Sequence, residues 1–289
     1  MSNEDKFKTL TCLEGKLGQA PLLDEIAGDV QASSVLEVMK SYSEELRGRM
    51  DSNARPYQKL AQLFMAGSTP TRVEGHHDGV ALVLRTGDEP EPLACYEDFI
   101  GLLWGTAVAR VAPWVGMSFS RAPSDLIRNY TEGFERGAVP TYLGINHFEK
   151  LEDSVINKLS FSVVTFWTHL KDAPREEKSL YGYYKNGGLF VARCAESVYA
   201  GAEREVFQLN YRWHDLGNFP PISYLIDELV QISDGVYLGQ LLFATKNMLG
   251  RFNPNLPARD YDYQHFGYFL LMDDSWAAET RRVFPNPSG

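Results

Sequence analysis

The stretch Ile222–Ile232 constrains the chain more than any other. In an extended strand, successive side chains point to opposite faces. One face then carries Ile222, Tyr224, Ile226, Glu228, Val230 and Ile232, and the other Ser223, Leu225, Asp227, Leu229 and Gln231. A sheet with one wet face alternates cleanly between apolar and polar residues, whereas here both faces are apolar and both need cover. One face is therefore expected to line the interior of a closed sheet and the other to lie beneath helices.

The neighbouring segments extend this reading. Trp114–Ser120, Ser160–Leu170, Leu180–Tyr184, Leu189–Ala195, Glu205–Trp213, Val236–Ala244 and His265–Met272 are rich in β-branched and aromatic residues, which favour strands. Lys185-Asn186-Gly187-Gly188 and Ser233-Asp234-Gly235 read as hairpin turns. Short strands joined by tight turns imply an antiparallel meander closed as a barrel or folded as a sandwich. Gly75-His76-His77-Asp78-Gly79 reads as a turn before the apolar run Val80–Leu84. Upstream, Val35, Met39, Tyr42 and Leu46 recur at helical spacing behind a Ser34/Glu37 capping box. Arg55-Pro56 opens a second helix with Tyr57, Leu60, Ala61 and Phe64 on one side and Gly67 at its end. Tyr96–Val111 reads as a third helix.

Composition narrows the function classes. A formal charge of −10, with no block of clustered Lys and Arg, disfavours nucleic acid as a partner. Cys12, Cys95 and Cys194 are odd in number and widely spaced, so neither a disulfide framework nor a zinc–thiolate site is expected. The polar N-terminal stretch has no signal-peptide apolar region, and the longest apolar stretch is broken by Arg110 and Pro113. These features predict a soluble cytoplasmic protein without a membrane partner, and a homodimer is one possible assembly. The P-loop, G-x-G-x-x-G and H-E-x-x-H motifs are missing, and Gly116-Met117-Ser118-Phe119-Ser120 lacks the second glycine of a nucleophile elbow. No cofactor is expected.

Four motifs together resemble the lipocalin-like, calycin-type barrels of bacterial cytosolic proteins. They are Gly67-x-x-Pro70 with Gly75 and Gly79; Trp114-x-Gly116-x-x-Phe119; Asp227-Glu228 followed by Gly235-x-Tyr237-Leu238-Gly239; and Gly267-Tyr268-Phe269-Leu270-Leu271. The resemblance spans residues 67–272 and implies an apolar small-molecule cavity, and in some members cofactor-free chemistry. It assigns no catalytic residue. The expected fold is α+β, mainly β: an antiparallel lipocalin-like barrel over residues 67–289, with one inserted helix near 96–111. Residues 1–66 form a helical segment packed against it.

Asp227 and Glu228 are adjacent in an apolar strand, so one of them points inward. Desolvation there raises a carboxyl pKa and can poise it for acid–base work, while a structural ion pair with Arg193 or Arg212 is the plainer alternative. Tyr211 and His265 are candidates to orient a substrate beside either carboxyl. His169, Tyr183, Asn210, Trp213 and Tyr237 place polar tips among predicted strands, as the few polar groups of a small-molecule site do; ordinary core packing is the alternative for each. His76-x-Asp78 and His147-x-Glu149 each match half of a histidine–carboxylate iron site, a pattern also common by chance, and no metal site is assigned. The leading expectation is a barrel that binds an apolar or aromatic small molecule. The alternatives are a cofactor-independent isomerase, cyclase or hydrolase using the same cavity, and a non-haem iron oxygenase.

Overall fold

The structure, a computed structural model, describes residues 3–85, 114–131, 140–149, 169–200, 202–220 and 222–285. Nine strands form one antiparallel sheet: β1 Gly75–Leu84, β2 Trp114–Arg121, β3 Tyr142–Phe148, β4 Lys171–Asp172, β5 Lys185–Glu196, β6 Glu205–Asn210, β7 Leu225–Ser233, β8 Val236–Ala244 and β9 Tyr263–Asp273. The two-residue β4 pairs only with β5. The other eight run in chain order, each beside the next, with β3 pairing β5 and β9 returning to β1. An even-numbered meander can close with every neighbour antiparallel, and this one does: it is a closed eight-stranded barrel with no free edge.

Four helices precede the barrel: α1 Asn3–Phe7, α2 Pro21–Ala32, α3 Val35–Leu46 and α4 Arg55–Ala66. The start of α3 is fixed by the expected cap, Ser34 Oγ accepting from the Glu37 N–H at 3.3 Å. Its inner face buries Leu36, Met39 and Tyr42, and α4 adds Leu60, Leu63 and Phe64. These side chains pack on Val230, Ile232, Leu238, Leu270 and Met272, which point out of the barrel wall. Each such apolar side chain contributes about 1.5–3 kcal/mol by leaving water. Arg204 ties α4 to the wall: its guanidinium donates to the carbonyls of Phe64, Met65 and Gly67 at 2.6–2.8 Å. Gly67 is needed there, because a Cβ would lie 2.4 Å from Val230 Cγ2.

Several local expectations are corrected. Leu180–Tyr184 is not a strand; the helix Arg175–Tyr181 begins after Pro174, has Glu176 and Glu177 in its first turn, and ends at Gly182 in the left-handed region (φ 82°). Lys185–Gly188 is not a turn but the start of β5, where Asn186 and Gly187 pair with β3. Gly75–Gly79 is strand as well, because the ladders to β2 and β9 satisfy a backbone whose residues have weak strand preference alone. Tyr211, Arg212 and Trp213 lie beyond the end of β6. The expected helix Tyr96–Val111 and residues 160–168 of the Ser160–Leu170 strand lie outside the described residues. His169 itself occupies a turn with φ 51°. Among the described residues, no helix is long and apolar enough to cross a membrane.

Candidate functional site

The alternation of β7 decides which carboxyl faces inward. Leu225 and Leu229 join the interior cluster, so Asp227 between them points into the barrel. Val230 and Ile232 join the cluster under the helices, so Glu228 points outward. Glu228 is buried and fully engaged: Ser197 Oγ, the Val198 N–H and Gln240 Nε2 all donate to it at 2.6–2.8 Å. It anchors the chain after β5 to the outer wall.

Asp227 has a different environment. Its carboxyl lies within hydrogen-bonding reach of the Tyr211 hydroxyl, and among the described residues Oδ1 has no hydrogen-bond partner. Burial pushes its pKa up to about 8, with the Tyr211 hydrogen bond opposing and the neighbouring Glu228 carboxylate adding to the rise. At neutral pH most of the group is a neutral acid. Burial, followed by the Asp227 charge, also raises the Tyr211 phenol well above its ordinary range.

Two further polar groups complete this interior cluster. Asn146 Nδ2 lies 3.2 Å from the Tyr211 hydroxyl and 2.8 Å from the Gly188 carbonyl, while its Oδ1 accepts from Trp114 Nε1 at 2.9 Å. Asp227, Tyr211, Asn146 and Trp114 belong to the strand ends from which the β1–β2, β3–β5 and β6–β7 connections leave. Towards the opposite end, Phe119, Tyr142 and Phe207 fill the interior together with Phe190, with ring centroids 5.4–6.1 Å apart, and the Phe190 ring also reaches Tyr211 at 5.1 Å. Wall glycines admit these large side chains. A Cβ on Gly144 would meet Phe190 at 2.0 Å, and one on Gly239 would meet Phe269 at 2.2 Å. His77 also points inward, its ring against Phe119 and Tyr237, and burial lowers its pKa to about 4.

The nine residues singled out from sequence do not form one site. Tyr211 and Tyr237 face the interior with Asp227, and the Tyr237 hydroxyl donates to the Arg72 carbonyl at 3.2 Å. Asn210 is on the outer face of β6, its Oδ1 accepting from the Arg212 N–H at 2.8 Å. Trp213 packs outside with Val191 and Leu126. His265 is also outside, its Nδ1 2.8 Å from the Tyr57 hydroxyl of α4 and its ring against Tyr268; burial depresses its pKa to about 3. It cannot orient a substrate at Asp227. Tyr183 stacks on His147 on the outer face at 3.8 Å, and exposed His169 stacks on Phe219. Arg212 lies over Tyr261, Phe252 and Tyr263 rather than beside Asp227. Trp114, Asn146 and His77 were not expected in the site. Asn146 lies in β3, a strand the composition did not reveal, and His77 lies in a segment read as a turn. Among the described residues, no three of His, Cys, Asp and Glu converge in a way that could hold a metal ion.

Comparison with protein-family models, curated proteins and solved structures finds no match to this chain. The barrel and its interior chemistry are therefore the basis for a functional reading.

Proposed function

We propose that the chain binds an apolar or aromatic small molecule inside the barrel, anchored through one carbonyl or hydroxyl group to Asp227. The observation that carries this reading is the enclosed Asp227 carboxyl with one oxygen unpartnered among the described residues. A buried polar group left without a partner costs about 1–3 kcal/mol. A ligand oxygen at Oδ1 removes that cost, and a neutral carboxyl can donate to a carbonyl or accept from a hydroxyl. Tyr211, itself bonded to Asn146, reaches the carboxyl, and Phe269, Leu241 and Leu225 supply apolar contact nearby. An apolar site with a few convergent polar groups suits a small molecule, as does the function that the lipocalin-like resemblance implies.

The test is a thermal-shift titration with phenols, aromatic ketones and their hydrocarbon parents. A saturable rise in Tm with the oxygenated compounds, reduced by Asp227→Leu in a folded chain, is expected. Equal shifts with the hydrocarbons, or shifts unchanged in Asp227→Leu, would remove Asp227 from the site.

One observation favours a second reading. An acid whose pKa is near 8 beside a buried phenol is placed for general acid–base catalysis near neutral pH. A cofactor-independent isomerase, cyclase or hydrolase in the same interior would convert the bound compound, and Asp227→Asn would abolish turnover while leaving the chain folded.

A further inference from the structure

A separate polar cluster lies on the outer face where β1, β2 and β3 meet the Arg175–Tyr181 helix. Ser118 Oγ is 2.6 Å from His147 Nε2, and His147 Nδ1 is 2.8 Å from Asn186 Oδ1. Hydrogen-bond logic fixes each proton. Glu177 Oε2 accepts from Asn186 Nδ2 at 3.1 Å, and a carboxylate can only accept, so Asn186 presents its oxygen to His147. That oxygen requires a proton on Nδ1, which leaves the Nε2 lone pair facing the Ser118 hydroxyl. Tyr183 reinforces both ends: its hydroxyl donates to the same Glu177 oxygen at 2.7 Å, and its ring stacks on His147. His76 flanks Ser118 on the other side, with Nδ1 at 3.5 Å.

We propose that Ser118 is a nucleophile for acyl transfer from activated esters, with His147 as its base and Asn186 and Glu177 as positioning residues. A nucleophile hydrogen-bonded to a base that is oriented by a third group is the signature of covalent catalysis. The serine is partly exposed and the imidazole buried. Burial lowers the His147 pKa to about 4, so the imidazole is neutral at pH 7 with its Nε2 lone pair free, and it is a weaker base than an exposed histidine. Ser118 Oγ attacks the ester carbonyl carbon while its proton passes to His147 Nε2. The carbon–oxygen bond to the leaving group then breaks, and the leaving oxygen takes that proton. Water, deprotonated by the same nitrogen, later releases the carboxylic acid and restores the serine. Ser118 belongs to ladders on both sides, so its backbone N–H supplies no ready oxyanion donor, and acylation and deacylation, each passing through an oxyanion, are both expected to be slow.

The experiment treats the full chain with p-nitrophenyl acetate and, separately, with a fluorophosphonate, then maps modified residues by mass spectrometry. One acetyl or phosphonyl group on Ser118 is expected. The rate should fall roughly 10²–10⁴-fold in His147→Gln, with circular dichroism unchanged. Asn186→Asp should shift the pH below which labelling is lost upward, because a carboxylate on Nδ1 raises the imidazole pKa, whereas a purely structural role would leave that midpoint in place. Modification of exposed Ser120 instead, no modification of folded wild-type protein, or an unchanged rate in His147→Gln would each overturn the proposal.

Discussion

Replacing Asp227 with Asn tests the chemistry of the barrel interior through stability alone. The folded-state pKa of Asp227 is raised, from 3.8 to about 8. Between those values the folded chain keeps a proton that the unfolded chain has released, so the stabilising contribution is complete at low pH and is lost as pH rises through about 8. Each pH unit within the window removes about 1.4 kcal/mol. The full span of about four units sets an upper limit near 5–6 kcal/mol, and the part from about pH 6.5 to 8 is worth about 2 kcal/mol. The acid side runs the opposite way. His77, His147 and His265 have folded pKa values lowered to about 4, 4 and 3, so their stability contribution is lost as pH falls below the unfolded histidine value near 6.5. Glu228 is raised by burial and acts in the same sense as Asp227, but it is common to both proteins. The amide in Asp227→Asn is neutral at every pH, so the difference between the proteins isolates Asp227. Guanidinium unfolding from pH 4.5 to 8.5 should show the variant gaining on wild type as pH rises, by about 2 kcal/mol between pH 6.5 and 8. Parallel curves across that range would refute the reading of Asp227 as a buried neutral acid.

Other perturbations check the frame around the site. Gly239→Ala forces a methyl into the Phe269 ring and should cost about 1–3 kcal/mol in chemical denaturation; an unchanged midpoint would mean that the ring does not lie on the wall. Arg204→Ala removes the donors to three carbonyls near the end of α4 and should cost about 1.5–3 kcal/mol, with faster amide exchange near Phe64 and Met65. Glu228→Ala strands the Val198 N–H and Gln240 and should cost about 3 kcal/mol, far more than a surface carboxylate. Burial pushes the Cys12 thiol up to about 12, so of the two cysteines among the described residues a thiol reagent should modify the less buried Cys194 first and reach Cys12 only on unfolding.

The last four strands of the barrel were legible because β7 and β8 are apolar on both faces and Asp234-Gly235 marks the turn between them, with Gly235 at φ 77°. The opposite orientation of Asp227 and Glu228 was also legible, since it follows from parity alone. Which of them faces inward depends on where the helices dock, and that is a tertiary fact. Strand β3 and the starts of β1 and β5 were not legible. Asn146, Gly75 and Asn186-Gly187 carry turn-like preferences, and only the ladders on either side hold them extended. The Ser118–His147–Asn186 chain gives no local signal, because its members are brought together by register between three strands.

The most direct measurement is a crystal structure of the protein soaked with phenol. Its oxygen should lie within hydrogen-bonding distance of Asp227 Oδ1, with the ring among the apolar side chains inside the barrel. Phenol found only on the outer surface at saturating concentration, with the Asp227 side of the interior filled by protein atoms, would contradict interior binding.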